Sequence, residues 1–230
     1  MSSSIPGHAL PGGGPRSFPV ARVSRATLAA NALAAREGGA ERYATALLQA
    51  DAWGHGADSA RAVLDELQLT PAEDDAPADT AEVLSPASFF GLPGAPTGAT
   101  PALRLTGTVL SVKDLRAGEG VSYGFAFRAP ADTRIALVTG GYAQGVVREL
   151  GGAVDVAIAG HRHSIVGRVA MDVCVVDIGD AAVRRGDEAL FLGDPAAGEP
   201  SLADWVRVTG LHPGELVTTV GLRASRQETP

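Results

Sequence analysis

The chain of 230 residues reads as a mainly β protein carrying a small α/β segment on its N-terminal side. Three observations predict this. From Leu103 onward, short apolar runs are punctuated by Gly, Asp and Pro at short intervals, the pattern of a compact antiparallel β domain or barrel. Before them lies an Ala-rich helical pattern followed by a short apolar run and a second helical pattern, which together make a β-α unit. Between the two the composition changes to Pro, Ala, Gly and Asp.

The elements follow in order. Residues 1–19 hold Pro6, Gly7, Pro11, Gly12-Gly13-Gly14, Pro15 and Pro19, a density that predicts disorder. From Ser24, the positions Ala26, Leu28, Ala29 and Leu33 alternate with Arg25, Asn31, Arg36 and Glu37. This suits a helix with Ser24 as N-cap, stopped by Gly38-Gly39. Tyr43 to Ala50 reads as a strand. Ala57 to Leu67 places Ala60, Val63, Leu64 and Leu67 on one helical face. Residues 20–69 therefore form one unit, and residues 70–101, with Glu73-Asp74-Asp75, form a linker. Phe89-Phe90 stands exposed in that linker and either docks on the β domain or marks a partner contact. Residues 102–230 are the β domain. Its strands run through Leu105–Val112, Arg134–Val138, Val154–Ile158, His163–Val169, Cys174–Ile178 and Glu188–Leu192. One helix near Leu202–Val208 interrupts them, with Ser201 as cap and Asp204 facing the positive end of the helix dipole.

A net charge of −7 without a Lys/Arg run disfavours nucleic acid and anionic membranes as partners. The single Cys174 excludes an internal disulfide and reads as a small buried hydrophobe. No stretch reaches the ~18 apolar residues of a membrane span. The first residues show neither a basic n-region nor an apolar h-region, so a cytoplasmic location is expected.

Four motifs stand out. The first is Gln49-Ala50-Asp51-Ala52-Trp53-Gly54-His55-Gly56-Ala57. The second is Gly120-Val121-Ser122-Tyr123-Gly124, preceded by Leu103-Arg104-Leu105 and Gly118-Glu119. Gly140-Gly141-Tyr142-Ala143-Gln144-Gly145 and Ile165-Val166-Gly167-Arg168-Val169-Ala170-Met171-Asp172 follow. In this order they resemble the alanine racemase family, over residues 21–67 and 102 to about 226.

That resemblance implies a (β/α)₈ barrel joined to a C-terminal β domain, pyridoxal phosphate as cofactor, and interconversion of L- and D-alanine for the cell wall. Residues 20–69 would be a remnant of the barrel. A complete barrel takes about 250 residues, so an internal deletion is expected. Where the family carries its cofactor lysine this chain has Gln49, whose amide lone pair is delocalised into its carbonyl and cannot form an imine. Racemisation needs a proton taken from one face of Cα and another delivered to the opposite face. By resemblance one of the two bases is Tyr123, offered to the other subunit of a dimer. Met171 matches the position whose backbone approaches the substrate carboxylate, and Tyr142, Arg148 and Arg168 match the entrance corridor. Gly214, in Pro213-Gly214-Glu215, falls where a family tyrosine holds the cofactor phosphate.

Plain structural readings stand beside these. Tyr123 could be a structural aromatic, Tyr142 could pack in a turn, and Arg168 could pair with Asp172 or Asp177 on the surface, worth little energetically. The expectation is a chain that binds pyridoxal phosphate poorly and is inactive alone. Its partner would be a second copy or a full-length racemase, to which it contributes Tyr123 in trans or which it regulates. No metal site is expected: His161 and His163 share a strand face without a clear third ligand. Gly12-Gly13-Gly14 lacks the Lys-Ser/Thr of a phosphate loop, and Ser122 lacks a nucleophile elbow.

Overall fold

A computed structural model describes residues 18–73, 81–96 and 98–230. The predicted disorder of residues 1–19 falls almost wholly outside the described residues, as do Gly12–Gly14 and Asp74–Asp75.

The chain enters as strand β1 (Val20–Ser24) and turns at once into helix α1 (Arg25–Glu37). Ser24 caps α1 by accepting from Thr27 N, and Gly38 ends it. Strand β2 (Arg42–Tyr43), helix α2 (Ala57–Glu66), strands β3 (Thr70–Pro71) and β4 (Val83–Leu84) and helix α3 (Pro86–Phe90) complete the α/β part. Here β2 runs parallel between β3 and β4. The predicted strand Tyr43–Ala50 is therefore confined to its first residue. Thr45–Leu48 coils into a 3₁₀ turn, and a left-handed turn follows.

The segment 70–101 contains β3, β4 and α3. Phe89 and Phe90 are fully buried rather than exposed. Asn31 on α1 secures them: its Nδ2 donates to Phe89 O at 3.0 Å and Thr100 O at 2.8 Å, and its Oδ1 accepts from Thr100 N at 3.0 Å. With all its polar atoms matched, this buried amide escapes the penalty of an unpaired group.

From Leu103 the architecture is a closed antiparallel β barrel. Long β5 (Leu103–Leu115) pairs with β8 (Thr133–Thr139), then come β11 (Val173–Asp177), β10 (His161–Val166), β9 (Asp155–Ile158) and β12 (Glu188–Leu192), which returns to β5. A short hairpin of β6 (Gly120–Val121) and β7 (Phe127–Arg128) projects between β5 and β8. Alternate residues fill the interior: Leu105, Val109, Val138, Val156, Ile158, Ile165, Val176 and Phe191 are solvent-free. Gly107 is required at the closure. A Cβ there would stand 2.1 Å from Thr139 O and 2.8 Å from Phe191 Cε2, so only glycine lets β5 approach so closely.

Two helices follow. Leu202–Thr209 forms α4, capped by Ser201 as expected, and Pro213–Arg223 forms α5, a second helix where one was predicted. Gly214, Gly221 and the Thr218-Thr219 pair are weak helix formers and hide its period. Its N-terminal signal is nonetheless present: Pro213 at the first turn, with Glu215 Oε2 accepting from His212 N at 2.8 Å. Strand β13 (Ser225–Thr229) lies parallel to β1, which itself pairs with β5. The N-terminal strand is thereby part of the barrel's sheet, and one apolar core runs from Leu28 and Phe90 through Leu105 to Phe191.

Candidate functional site

Four of the five residues assigned to the tyrosine site and its corridor belong to loops stitched together by backbone bonds and by the Ser122 hydroxyl. Gly141 makes this possible, since an added Cβ would meet Met171 O at 2.2 Å. Tyr142 N donates to Ala170 O at 3.0 Å and Ala143 N to Met171 O at 2.9 Å. Gln144, nearly solvent-free, locks the turn from within: its Oε1 accepts from Gly141 N at 3.0 Å and its Nε2 donates to Asp172 Oδ1 at 2.8 Å. The β6–β7 hairpin is tied to the same region through Ser122, which donates to Arg168 O at 3.0 Å and accepts from Arg168 N at 2.7 Å. Ser122 takes a φ of +69° to do so, an outlier for serine. The fifth residue joins through its side chain. The guanidinium carbon of Arg148 lies 6.0 Å from the Tyr123 ring centre and 5.9 Å from that of Tyr142.

The result is an exposed face. Tyr123 is 59% accessible, Phe125 62% and Met171 52%, although aromatic and sulfur-bearing side chains ordinarily bury. The surface pairing that was one reading of Arg168 does not form: Asp172 is engaged by Gln144, and Asp177 accepts from Thr133 Oγ1 at 2.6 Å. Sequence reasoning missed Gln144 and Ser122. Both were inside the quoted motifs, but their role is to hold backbone, which a motif alone does not reveal.

The segment after Gln49 is built differently. Ala50, Asp51, Ala52 and Trp53 have φ between 48° and 56°, a left-handed turn of ordinary residues that costs roughly 1–2 kcal/mol at each. Gly54 N donates to Ala50 O, and Ala57 N donates to Asp51 Oδ1 at 2.8 Å. Arg226 from β13 pairs with Asp51 Oδ2. The Ala57 amide and, against burial, the Arg226 guanidinium hold the Asp51 carboxyl below its ordinary range. The turn lies tightly on α5, where a Cβ on Gly221 would stand 2.2 Å from Gly54 O. Gln49 itself is exposed at the head of this turn.

His55 is the buried titratable group here. Its ring stacks on Phe90 with centres 4.1 Å apart. Burial holds its pKa down to about 4, so it is neutral. Cys174, solvent-free within the barrel, has its thiol pushed up to about 12 by burial and is unreactive.

Residues 102–228 match the family model described as alanine racemase, C-terminal domain. The chain belongs to the alanine racemase family. Over 145 residues it is 44% identical to the alanine racemase of Mycobacterium leprae (strain TN), a match covering 60% of this chain and 37% of that protein. It thus spans little more than a third of the curated relatives it matches. The alanine racemase of Streptomyces coelicolor A3(2) superposes with a TM-score of 0.77 at 20% identity, covering 92% of this chain and 98% of that one, a likeness of fold. The Bartonella henselae alanine racemase, with covalently bound pyridoxal phosphate, superposes with a TM-score of 0.58 at 25% identity over 75% of this chain and 50% of that one.

The positions to which the resemblance points suit that cofactor poorly. Position 49, where the resemblance puts the cofactor lysine, is an amide. At Gly214 there is no hydroxyl, and the space beside it is taken: an added Cβ would stand 2.3 Å from Trp53 Cζ3. The Trp53 indole is fixed there by donation to Ala46 O at 2.9 Å and by ring contacts to Phe90 and His212. Among the described residues, no three His, Cys, Asp or Glu side chains gather as a metal site, and no helix is long and apolar enough to cross a membrane.

Proposed function

We propose that this chain does not racemise alanine by itself, and that its working part is the tyrosine face of the β domain, presented to the barrel of a full-length alanine racemase. The observation that supports this is an asymmetry within the inherited site. Tyr123, Tyr142, Arg148, Arg168 and Met171 are assembled on an ordered, outward-facing surface. The tether position is Gln49, and Gly214 is packed beneath Trp53.

Tyr123 then supplies the phenol that gives or takes a proton at one face of a substrate's α-carbon. Arg148, lying between the two tyrosine rings, sets their spacing, and Ser122 fixes the hairpin. Met171 and its neighbours form the rim that a substrate carboxylate approaches. The opposite base and the cofactor come from the partner. The domain reading behind this treats residues 20–69 as a remnant of the family's barrel, residues 70–101 as the segment joining it to the β domain, and the cytoplasm, where a racemase partner and its substrate meet, as the location.

The test uses a full-length alanine racemase whose own catalytic tyrosine has been replaced by phenylalanine. Mixed with this chain, it should regain D-alanine formation, and the Tyr123→Phe chain should not restore it. Interconversion by this chain alone, or no rescue in the mixture, overturns the proposal. Loss of activity when wild-type racemase is mixed with this chain would assign it a regulatory role instead.

A further inference from the structure

Strand β13 stands at the end of its sheet: one side pairs with β1, and the other has no neighbouring strand among the described residues. The parallel register decides which backbone groups face the open side. Ser225 N donates to Pro19 O, and along such a strand alternate residues turn their N–H and C=O to the same neighbour. Ser225, Gln227 and Thr229 therefore serve β1, while Arg226 and Glu228 direct theirs outward. Both outward residues are exposed, and among the described residues no backbone partner takes their N–H or C=O.

An open edge is a template for another strand, and proteins commonly guard it with charge. Here the charges are of opposite sign and share one face of the strand. Glu228 joins no ion pair among the described residues. Arg226 meets Asp51 and Gly54 O through Nη1, which leaves Nη2 for a further acceptor. If a second copy pairs antiparallel at this edge, outward residues must face outward residues, so the register is centred on Arg226, Gln227 or Glu228. The first sets Arg226 against itself and the last sets Glu228 against itself, and like charges directly opposite repel. The middle register sets Arg226 of each copy opposite Glu228 of the other, with Gln227 on the two-fold axis.

We propose that β13 pairs antiparallel with β13 of a second copy of this chain, in the register centred on Gln227. A single strand pair is small beside a standard interface, so the dimer is a transient one.

The test follows the intact chain by sedimentation equilibrium and amide hydrogen exchange as its concentration rises to about 1 mM. A monomer–dimer equilibrium is expected. The Arg226 and Glu228 amides should gain protection as dimer forms, and the Gln227 amide, already bonded to β1, should not change. Glu228→Lys sets like charges opposite each other, and Glu228→Pro removes an outward N–H that the fold does not use. Each should raise the dissociation constant about tenfold or more. If either variant loses β13 itself, seen as fast exchange at Gln227, the concentration-dependent protection in the native chain decides the matter. A chain that stays monomeric over the whole range, or a dimer that neither variant weakens, overturns the proposal. So does a dimer that Tyr123→Ala abolishes and Glu228→Pro retains.

Discussion

The barrel and the α/β segment before it share one apolar core but hold their motif residues in opposite ways. In the barrel, closure of β5 onto β12 leaves loops tied together, by backbone bonds at Met171 and by the Ser122 hydroxyl at the Tyr123 hairpin, so Tyr123 and Met171 can stay exposed without being loose. In the α/β segment, the motif that follows Gln49 is forced into a left-handed turn and packed down, with half-buried Trp53 against Gly214 and buried His55 against Phe90. In the first region exposed side chains stand on anchored loops. In the second, Gly214 and His55 are engaged in packing while Gln49 stays exposed.

The sharpest way to break this comparison is to ask whether the two regions fold as one. Phe191 anchors the barrel and Phe90 the α/β segment, both solvent-free and in the same cluster. Truncating either to alanine should cost about 3–5 kcal/mol. The two tryptophans report separately, Trp53 from the left-handed turn and Trp205 from α4. If the core is cooperative, urea unfolding followed through single-tryptophan variants should shift equally for both probes in both mutants. A Phe90→Ala chain in which Trp205 keeps its original midpoint would show that the α/β segment is a separate appendage.

Acid separates the regions next. The folded His55 pKa of about 4 lies below its ordinary 6.5, so between these values the unfolded chain holds a proton that the folded chain does not. Stability therefore rises with pH through that window and falls as pH drops from 6.5 toward 4. At ~1.4 kcal/mol per pH unit, the loss is about 3 kcal/mol. The group also faces Arg226, which opposes protonation further. Asp51, whose folded pKa is lowered, contributes stability that is lost at more acid pH, below the carboxylate range. His55→Phe should reduce the slope between pH 4 and 6.5 to the part left by His163, whose pKa is also held down by burial and by His161, and leave the lower limb in place. An unchanged slope would mean that the imidazole reaches water.

How much of this was legible before the structure depends on how local each feature is. Ser24, the Ala-rich face after it and Gly38-Gly39 define the 13-residue α1 locally, and the alternation in Val173–Asp177 defines a strand in 5 residues. Both are readable because the pattern and its cause lie in the same stretch. The segment 70–101 was not. Val83-Leu84 is too short to show a period, and Phe89-Phe90 looks exposed until Asn31, 58 residues away, is known to hold it. For the candidate site, the resemblance pointed to Tyr123, Tyr142, Arg148, Arg168 and Met171, and these five lie close together. The packing of Trp53 on Gly214 was invisible, because it depends on α5, whose glycines and threonines hide its helical period.

The third prediction concerns that contact. Gly214→Tyr would put a phenol where the Trp53 ring lies 2.3 Å from an added Cβ, and overpacking of this kind costs about 1–3 kcal/mol. Gln49→Lys, at an exposed position, should change stability by no more than ~0.5 kcal/mol. Neither variant alone should give the absorption of an imine with pyridoxal phosphate that also depends on the phosphate. Comparing pyridoxal with pyridoxal phosphate on Gln49→Lys is the decisive measurement. Equal affinity is expected, and a strong preference for the phosphate form would show a cradle that the Trp53 packing does not leave room for.

The smallest expected effect on stability falls on the tyrosine face and is the most informative about function. Arg148 is exposed, and its contacts to the Tyr123 and Tyr142 rings are of the cation–π kind. Such contacts at exposed sites are worth ~0.5–1 kcal/mol. Arg148→Ala should therefore lower the urea midpoint only slightly. Arg148→Lys keeps the charge but loses the planar stacking surface, and it should behave almost identically in that measurement. If the face works in trans, however, the two should differ in the rescue assay. Alanine frees both rings and lowers the rescued rate, whereas lysine retains a cation beside Tyr123 and recovers part of it. Equal rates for the two variants and the parent would leave Arg148 as mere surface, and with it the claim that this side of the barrel is kept for a partner's chemistry.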